Sequence, residues 1–338
     1  MKILLTGGAG FIGSHVLLCS LEAGHDVTVL DNFSNSTPNV LKRVEALTGR
    51  RVELHRGDVR DKVLLNRTLA TGNFDAVLHF AGLKAVGESV AKPLEYYDVN
   101  VSGSITLARA MADAGVFKLV FSSTAAVYGD QADMPLTEES ALGDPVSPYG
   151  RSKRMVEQIF EDLCSSDQRW GVSILRYFNP VGAHFSGQIG EDPRGEPANL
   201  VPYAVQVAAG RRKVLSVFGD DYPTPDGTGV RDYVHVMDLA EGHLAAMHYL
   251  ARKTGYRIWN LGTGQGHSVR EVIRGLEKVT GRQLPWRTEE RRPGDAAQCW
   301  ADPSRATAEL GWLASRGLQE MLVDHWRWQE QNPDGFPK

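Results

Sequence analysis

The chain has 338 residues, 42% of them hydrophobic, with a formal net charge of −4 and three cysteines. That length can bury a large core and suggests two domains, or one with a sizeable appendage. The charge balance leaves no footprint for nucleic acid or an anionic membrane surface. Cys19, Cys164 and Cys299 lack metal-like spacing, and no apolar run nears the roughly 20 residues that span a bilayer. A reduced, cytoplasmic setting fits best, and glycines interrupt the first apolar stretch too early for a signal peptide.

The first predicted element is a buried strand over 2–6. It turns through Gly7, Gly10 and Gly13 into a helix expected over 15–23. Such a corner presents free backbone N–H groups and a helix dipole to an anion, and the missing Cβ atoms admit a pyrophosphate. Glycine spacing alone is equally compatible with a plain tight turn. The next strand, over 27–31, ends on Asp31 about 20 residues after the glycines, where a carboxylate accepts from ribose hydroxyls and repels a 2′-phosphate. NAD is therefore favoured over NADP.

Further strands over 52–56, 76–80, 118–122 and 172–178 alternate with helices over 64–70 and 102–114, the last stopped by Gly115. This alternation predicts an α/β fold, a Rossmann-type doubly wound parallel sheet over residues 1–180. Beyond 180, proline and glycine become denser, and helices are expected to shorten and loops to lengthen. A smaller C-terminal α/β substrate domain is expected over 181–338. Its boundary is interleaved if a strand near 256–261 returns to the first sheet.

Thr124, Tyr149 and Lys153 form the candidate catalytic group. Ser147-Pro148 opens a helix well, as N-cap and first helical residue. Tyr149 and Lys153 then stand one turn apart on one face, and Thr124 lies just past a strand end. An ammonium beside a phenol favours the phenolate, which could take a proton from a sugar hydroxyl. A second Tyr-x-x-x-Lys, Tyr249 and Lys253, lacks the preceding strand and is not assigned this role.

The Thr6–Gly13 run, the run over 121–129 and Tyr149-x-x-x-Lys153 resemble the extended short-chain dehydrogenase/reductase superfamily. The runs over 79–89, 176–184, 231–240 and 260–264 resemble the UDP-glucose 4-epimerase family within it, nearly end to end. The resemblance implies a reversible C4 epimerisation of UDP-galactose and UDP-glucose through a 4-keto intermediate. Tyr149 would act as base, Thr124 would hold the 4-oxygen, and Lys153 would lower the Tyr149 pKa and bind the nicotinamide ribose. NAD would stay bound, and the enzyme would be a homodimer joined through helices of the cofactor domain.

The same resemblance implies which residues meet the cofactor. They are Phe11 and Ile12 in the turn, then Asp31, Asn32, Phe33, Ser34, Asn35 and Ser36 beyond the second strand. Asp58 and Val59 would lie against adenine, with Phe80, Ala81, Gly82, Leu83 and Lys84 along the middle. Ser122, Tyr177 and Phe178 would lie on the nicotinamide side. Asn100 stands where the family's asparagine is offset by Val99.

For the UDP-sugar, the resemblance implies Asn179, Asn199 and Leu200 at the diphosphate and sugar, together with Lys84, Thr124 and Tyr149. Leu215, Ser216, Val217 and Phe218 would cradle the uracil. Arg231 and Arg292 suit phosphate and Asp295 a ribose hydroxyl, although salt bridging is the bland alternative for both arginines. Cys299 stands where many family members carry a bulky Tyr, and the freed space would admit UDP-GalNAc and UDP-GlcNAc. Simple packing is the alternative.

Three rivals remain at this stage. A 4,6-dehydratase needs an acid pair after Thr124, where Ala125 and Ala126 stand. An enzyme acting on another UDP-sugar such as UDP-glucuronate, by epimerisation or decarboxylation, stays open. A non-catalytic NAD-binding regulator should have lost Tyr149 or Lys153.

Overall fold

The computed structural model describes residues 1–131, 133–292 and 295–337. Strands β1 (Lys2–Thr6), β2 (Asp26–Asp31), β3 (Glu53–Arg56), β4 (Ala76–His79), β5 (Lys118–Thr124) and β6 (Gly171–Tyr177) build a parallel sheet in the order β6-β5-β4-β1-β2-β3. This is the doubly wound arrangement, with strand order reversing between β1 and β4. The inner strands are rich in buried Ile, Leu and Val because helices cover both faces, whereas the edge strand β3 is mostly exposed. Each fully buried side chain of this size contributes roughly 1.5–3 kcal/mol.

The covering helices start and stop on local signals. Thr37 caps Pro38–Thr48 through Asn39 N, and Gly49 ends it at φ +67°. Asp61 caps Lys62–Gly72 through Leu64 N. Asp98–Ser102 is a π-helical turn leading into Gly103–Asp113, and it turns Asn100 into the interior. Such turns recur at functional sites.

After β6 come β7 (Asn179–Val181), β8 (Leu215–Phe218), β9 (Val230–His235), β10 (Gly255–Leu261), β11 (Gly266–Ser268), β12 (Trp286–Glu289) and β13 (Gln298–Cys299). β9 pairs with β7, β11 and β13, while β8 and β12 form a separate parallel pair. These small sheets and the helices Leu200–Ala208, Val269–Thr280 and Leu318–Gln331 enclose a core around Val205, Tyr233 and Leu276. Ser268 and Glu271 close a capping box at the start of Val269–Thr280.

The late chain also returns to the large sheet. β10 adds parallel to β6 as its seventh strand. Val236–Leu250 packs against Phe11–Glu22 and crosses β5 and β6. The expected shortening of helices after residue 180 is not observed: Val236–Leu250 has 15 residues and Leu318–Gln331 has 14. Dense proline and glycine mark the connections there, not the elements, because each helix still needs a full buried face. Among the described residues no helix is long and apolar enough to cross a membrane.

Candidate active site

A cavity of about 500 Å³ opens beyond the carboxyl ends of β1, β4 and β5, between the large sheet and the small ones. Gly7, Gly10 and Gly13 form its floor. A Cβ on Gly7 would sit 2.6 Å from Ala81 N, and one on Gly13 would sit 2.3 Å from Gly7 O. Only glycine lets the turn close this tightly. No side chain caps Phe11–Glu22 at Gly10, so the N–H groups of its first turn face the cavity.

Asp31 lies 7% exposed at the cavity wall. Its Oδ2 accepts from Ala9 N (3.0 Å), and its Oδ1 accepts from Phe33 N (2.8 Å) and Ser36 Oγ (3.0 Å). A carboxylate has about four lone-pair sites, so capacity remains for a hydroxyl donor. Asn32 Nδ2 donates to Asp58 Oδ2 at 2.9 Å, and the Arg60 guanidinium holds the Asp58 carboxyl well below the usual range. This floor fits an NAD-type dinucleotide: a close-approach glycine cradle, free amides, then a buried carboxylate. Ser34, Asn35, Ser36, Val59, Phe80, Ala81, Gly82, Leu83 and Lys84 also line the cavity.

Tyr149, Thr124 and Lys153 all reach the same space. Ser147 caps Pro148–Ser166 by accepting from Gly150 N at 3.2 Å, as expected for Ser-Pro. Lys153 is 5% exposed; its Nζ donates to Ser122 O at 2.9 Å and lies 4.7 Å from the Phe121 ring centre. Burial lowers its pKa to about 8, opposed by Glu157 one turn on. The expectation that Lys153 draws the Tyr149 phenol down has no counterpart in the protein alone. There burial pushes Tyr149 upward, and only the Thr124 hydrogen bond pulls the other way. The ammonium of Lys153 instead donates to Ser122 O, and burial of the phenol outweighs what reaches it.

A buried network stands behind these groups. Arg176 Nη2 donates to Glu157 Oε2 at 2.6 Å, and Ser123 Oγ donates to Glu157 Oε1 at 2.5 Å. Arg176 also lies 4.9 Å from the Tyr128 ring centre, and Tyr128 donates to Asn260 Oδ1 at 2.7 Å. Tyr177 and Phe178 close the far wall, with the Tyr177 hydroxyl against Ser122 Oγ.

The small-sheet side supplies Asn179, Asn199, Arg231, Asp295 and Cys299. β13 pairs Cys299 beside Arg231, and Arg231 Nη2 lies 3.9 Å from Asp295 Oδ1. Burial raises the Cys299 thiol to about 11. Asp232 anchors this corner by accepting from Thr263 N (2.9 Å), Gly264 N (3.1 Å) and Ala301 N (3.2 Å).

Several expected residues lie outside the cavity wall. Phe33, at φ +56°, turns its ring into the core beneath Arg56 and offers only its backbone. Asn100 sits behind the wall, where Oδ1 accepts from Leu83 N (2.8 Å) and Nδ2 donates to Ser152 Oγ (2.9 Å), so it shapes the loop through Leu83. Leu200 packs on the small core. Leu215 and Val217 point into that core as well, since alternate strand residues face opposite sides, leaving Ser216 and Phe218 on the other face. Arg292 stacks 3.8 Å from the Phe218 ring centre. Tyr249, in the last turn of Val236–Leu250, packs on Trp259, away from the cavity.

The cavity also collects residues that sequence reasoning missed. Gly190, Glu191, Asp192, Pro193 and Arg194 form one of its walls, as does Phe336. Only their proline- and glycine-rich character was visible in the chain.

Fold and cavity together define an enzyme of the extended short-chain dehydrogenase/reductase type, and residues 4–325 match the family model described as GDP-mannose 4,6 dehydratase. Within that group the chain belongs to the UDP-glucose 4-epimerase family. It is 55% identical over 335 residues to the UDP-glucose 4-epimerase of Neisseria meningitidis serogroup C, covering 99% of both chains. It is 54% identical over 341 residues to that of Homo sapiens, covering 99% of this chain and 98% of the human one. The crystal structure of UDP-glucose 4-epimerase from Bifidobacterium longum, in complex with NAD⁺ and UDP, superposes with a TM-score of 0.97 at 51% identity, covering 99% of this chain and 100% of that one.

Proposed function

We propose that this chain interconverts UDP-galactose and UDP-glucose by inverting C4, with NAD held in the glycine cradle. One observation carries the reading. Thr124, Tyr149 and Lys153 meet the dinucleotide floor on one side and Asn179, Asn199 and Arg231 on the other, all within a single cavity. The NAD⁺ and UDP of the Bifidobacterium longum structure support the same assignment of the two halves.

Bound NAD supplies the acceptor, and then the donor, of the sugar's C4 hydride. Tyr149 takes the 4-hydroxyl proton as that hydride leaves and returns it when the hydride comes back to the other face. Thr124 orients the 4-oxygen. Lys153 binds the nicotinamide ribose, and a cationic ring beside the phenol restores the downward pull that burial opposes. The surrounding walls keep the 4-keto sugar in place between the two half-reactions.

The reading extends to UDP-GalNAc and UDP-GlcNAc, because Cys299 leaves the wall beside Arg231 narrow in side-chain volume. It also extends to a cytoplasmic homodimer: Val86, Val90 and Leu94 are 48%, 63% and 82% exposed on adjoining helices of the cofactor lobe. Ala125 and Ala126 follow Thr124, so no acid stands where dehydration would require one.

The deciding experiment incubates purified protein with UDP-galactose, without added NAD, and follows UDP-glucose by a coupled assay. Conversion without accumulation of free NADH is expected; no conversion, even with NAD supplied, would refute the assignment. Cys299→Tyr is expected to abolish turnover of the N-acetylated pair while sparing the plain sugars. If wild-type protein fails to turn over UDP-GlcNAc at saturation, the wider range is wrong.

A further inference from the structure

The wall formed by Gly190–Arg194 crosses from the small lobe over the cofactor floor, and every residue of it faces the cavity. Glu191 is the buried end. Its side chain is 5% exposed, and Oε1 accepts from Lys84 Nζ at 2.8 Å. Its other oxygen, Oε2, is buried without a protein partner, so Lys84 is the carboxylate's main compensation. The Glu191 carbonyl accepts from Trp328 Nε1 at 3.0 Å, which ties the segment to the C-terminal helix.

Arg194 is the exposed end. Its N–H donates to Asn35 Oδ1 at 3.1 Å, and Nη2 donates to Ser36 O at 2.9 Å. Both acceptors belong to the loop that follows Asp31. Between the two ends, Asp192 Oδ2 accepts from Phe336 N at 2.9 Å, and Phe336 closes the same wall. The segment therefore spans the cofactor site and is fastened to two separate loops of the cofactor lobe.

We infer that Gly190–Arg194 is a latch that retains the dinucleotide, fastened at Lys84 by Glu191 and at Asn35–Ser36 by Arg194, and that its opening limits cofactor exchange. The inference rests on the NAD reading above. Glu191 is a positioning residue, acting through Lys84, and charge-assisted hydrogen bonds of this kind hold more strongly than neutral ones. The surface end alone is a weak fastening, so the two ends act together.

The test loads the protein with isotopically labelled NAD and follows label release into excess unlabelled NAD. The isosteric Glu191→Gln is expected to release label about tenfold faster than wild type, as expected for losing a buried charge-assisted hydrogen bond, and Arg194→Ala, which loses only the exposed bond to Ser36 O, about threefold faster. The unfolding midpoint of the NAD-saturated protein should change little. Wild-type release from both variants would overturn the latch. So would release that rises only in step with a lower unfolding midpoint, the mark of a purely structural role. Wild-type protein that neither carries nor takes up NAD would instead overturn the cofactor reading itself.

Discussion

Tyr149 occupies the second position of a helix that Ser147 caps through Gly150 N and Pro148 opens, so its place depends on four consecutive residues. Its chemistry depends on a wider set. Thr124 arrives from the end of β5, and Lys153 donates to Ser122 O with its pKa lowered to about 8 by burial. Tyr149→Phe removes the phenolic oxygen that the proposed mechanism uses as acid and base, and leaves the dinucleotide floor untouched. Turnover is expected to fall at least about a hundredfold, in keeping with the usual contribution of a general base, with NAD content by absorbance unchanged. Near-normal turnover would remove the phenol from the mechanism. The placement of Tyr149 and Lys153 one turn apart at the start of a helix was legible in the chain because i, i+4 spacing and a Ser-Pro start are local signals. The direction of the Tyr149 shift was not legible, because it depends on how much protein surrounds the ring.

At the scale of elements, the β1 turn leaves no room for a side chain at Gly7 or Gly13. A Cβ on Gly13 would press into Gly7 O at 2.3 Å, backbone against backbone, with no flexible side chain to yield. Gly13→Ala is expected to displace the turn by overpacking that costs about 1–3 kcal/mol. The protein should then purify with less than a tenth of its normal NAD, measured after acid release, while keeping native far-ultraviolet dichroism. Full NAD content would show that the turn tolerates the methyl group. The strands of the first half were visible as short apolar runs, and so were several of its helices, but Pro38–Thr48 and the short helices Val86–Ala91 and Pro93–Tyr97 were not singled out. The run Leu215–Phe218 stood out only through the family resemblance, not as a strand, and which of its residues face the core required knowing its partner, Trp286–Glu289.

Across the whole molecule, the core has been built around uncharged histidines. Burial lowers the pKa of His15 and His79 to about 3, and of His243 and His325 to about 4. In the unfolded chain each takes up a proton near pH 6.5. The unfolded state therefore binds more protons between about pH 6.5 and 4, and folding stability is complete above that window and lost as pH falls through it. Urea midpoints are expected to hold from pH 8 to 7 and to drop steeply from pH 6 to 5. A flat profile to pH 5 would mean that these rings are hydrated or paired in the folded protein.

The amino-acid order alone settled what is local: the glycine corner, the carboxylate closing β2, the alternation that makes a parallel sheet, and the Tyr-Lys pair. Each follows from backbone sterics or periodicity within a few residues. Tertiary structure alone decided which distant segments share the cavity. It put Asn100 behind the wall, turned Leu215 and Val217 inward, brought Val236–Leu250 back against the large sheet, and laid Gly190–Arg194 over the cofactor floor. Those outcomes depend on the burial of surfaces far apart in the chain, and no short run of residues encodes them.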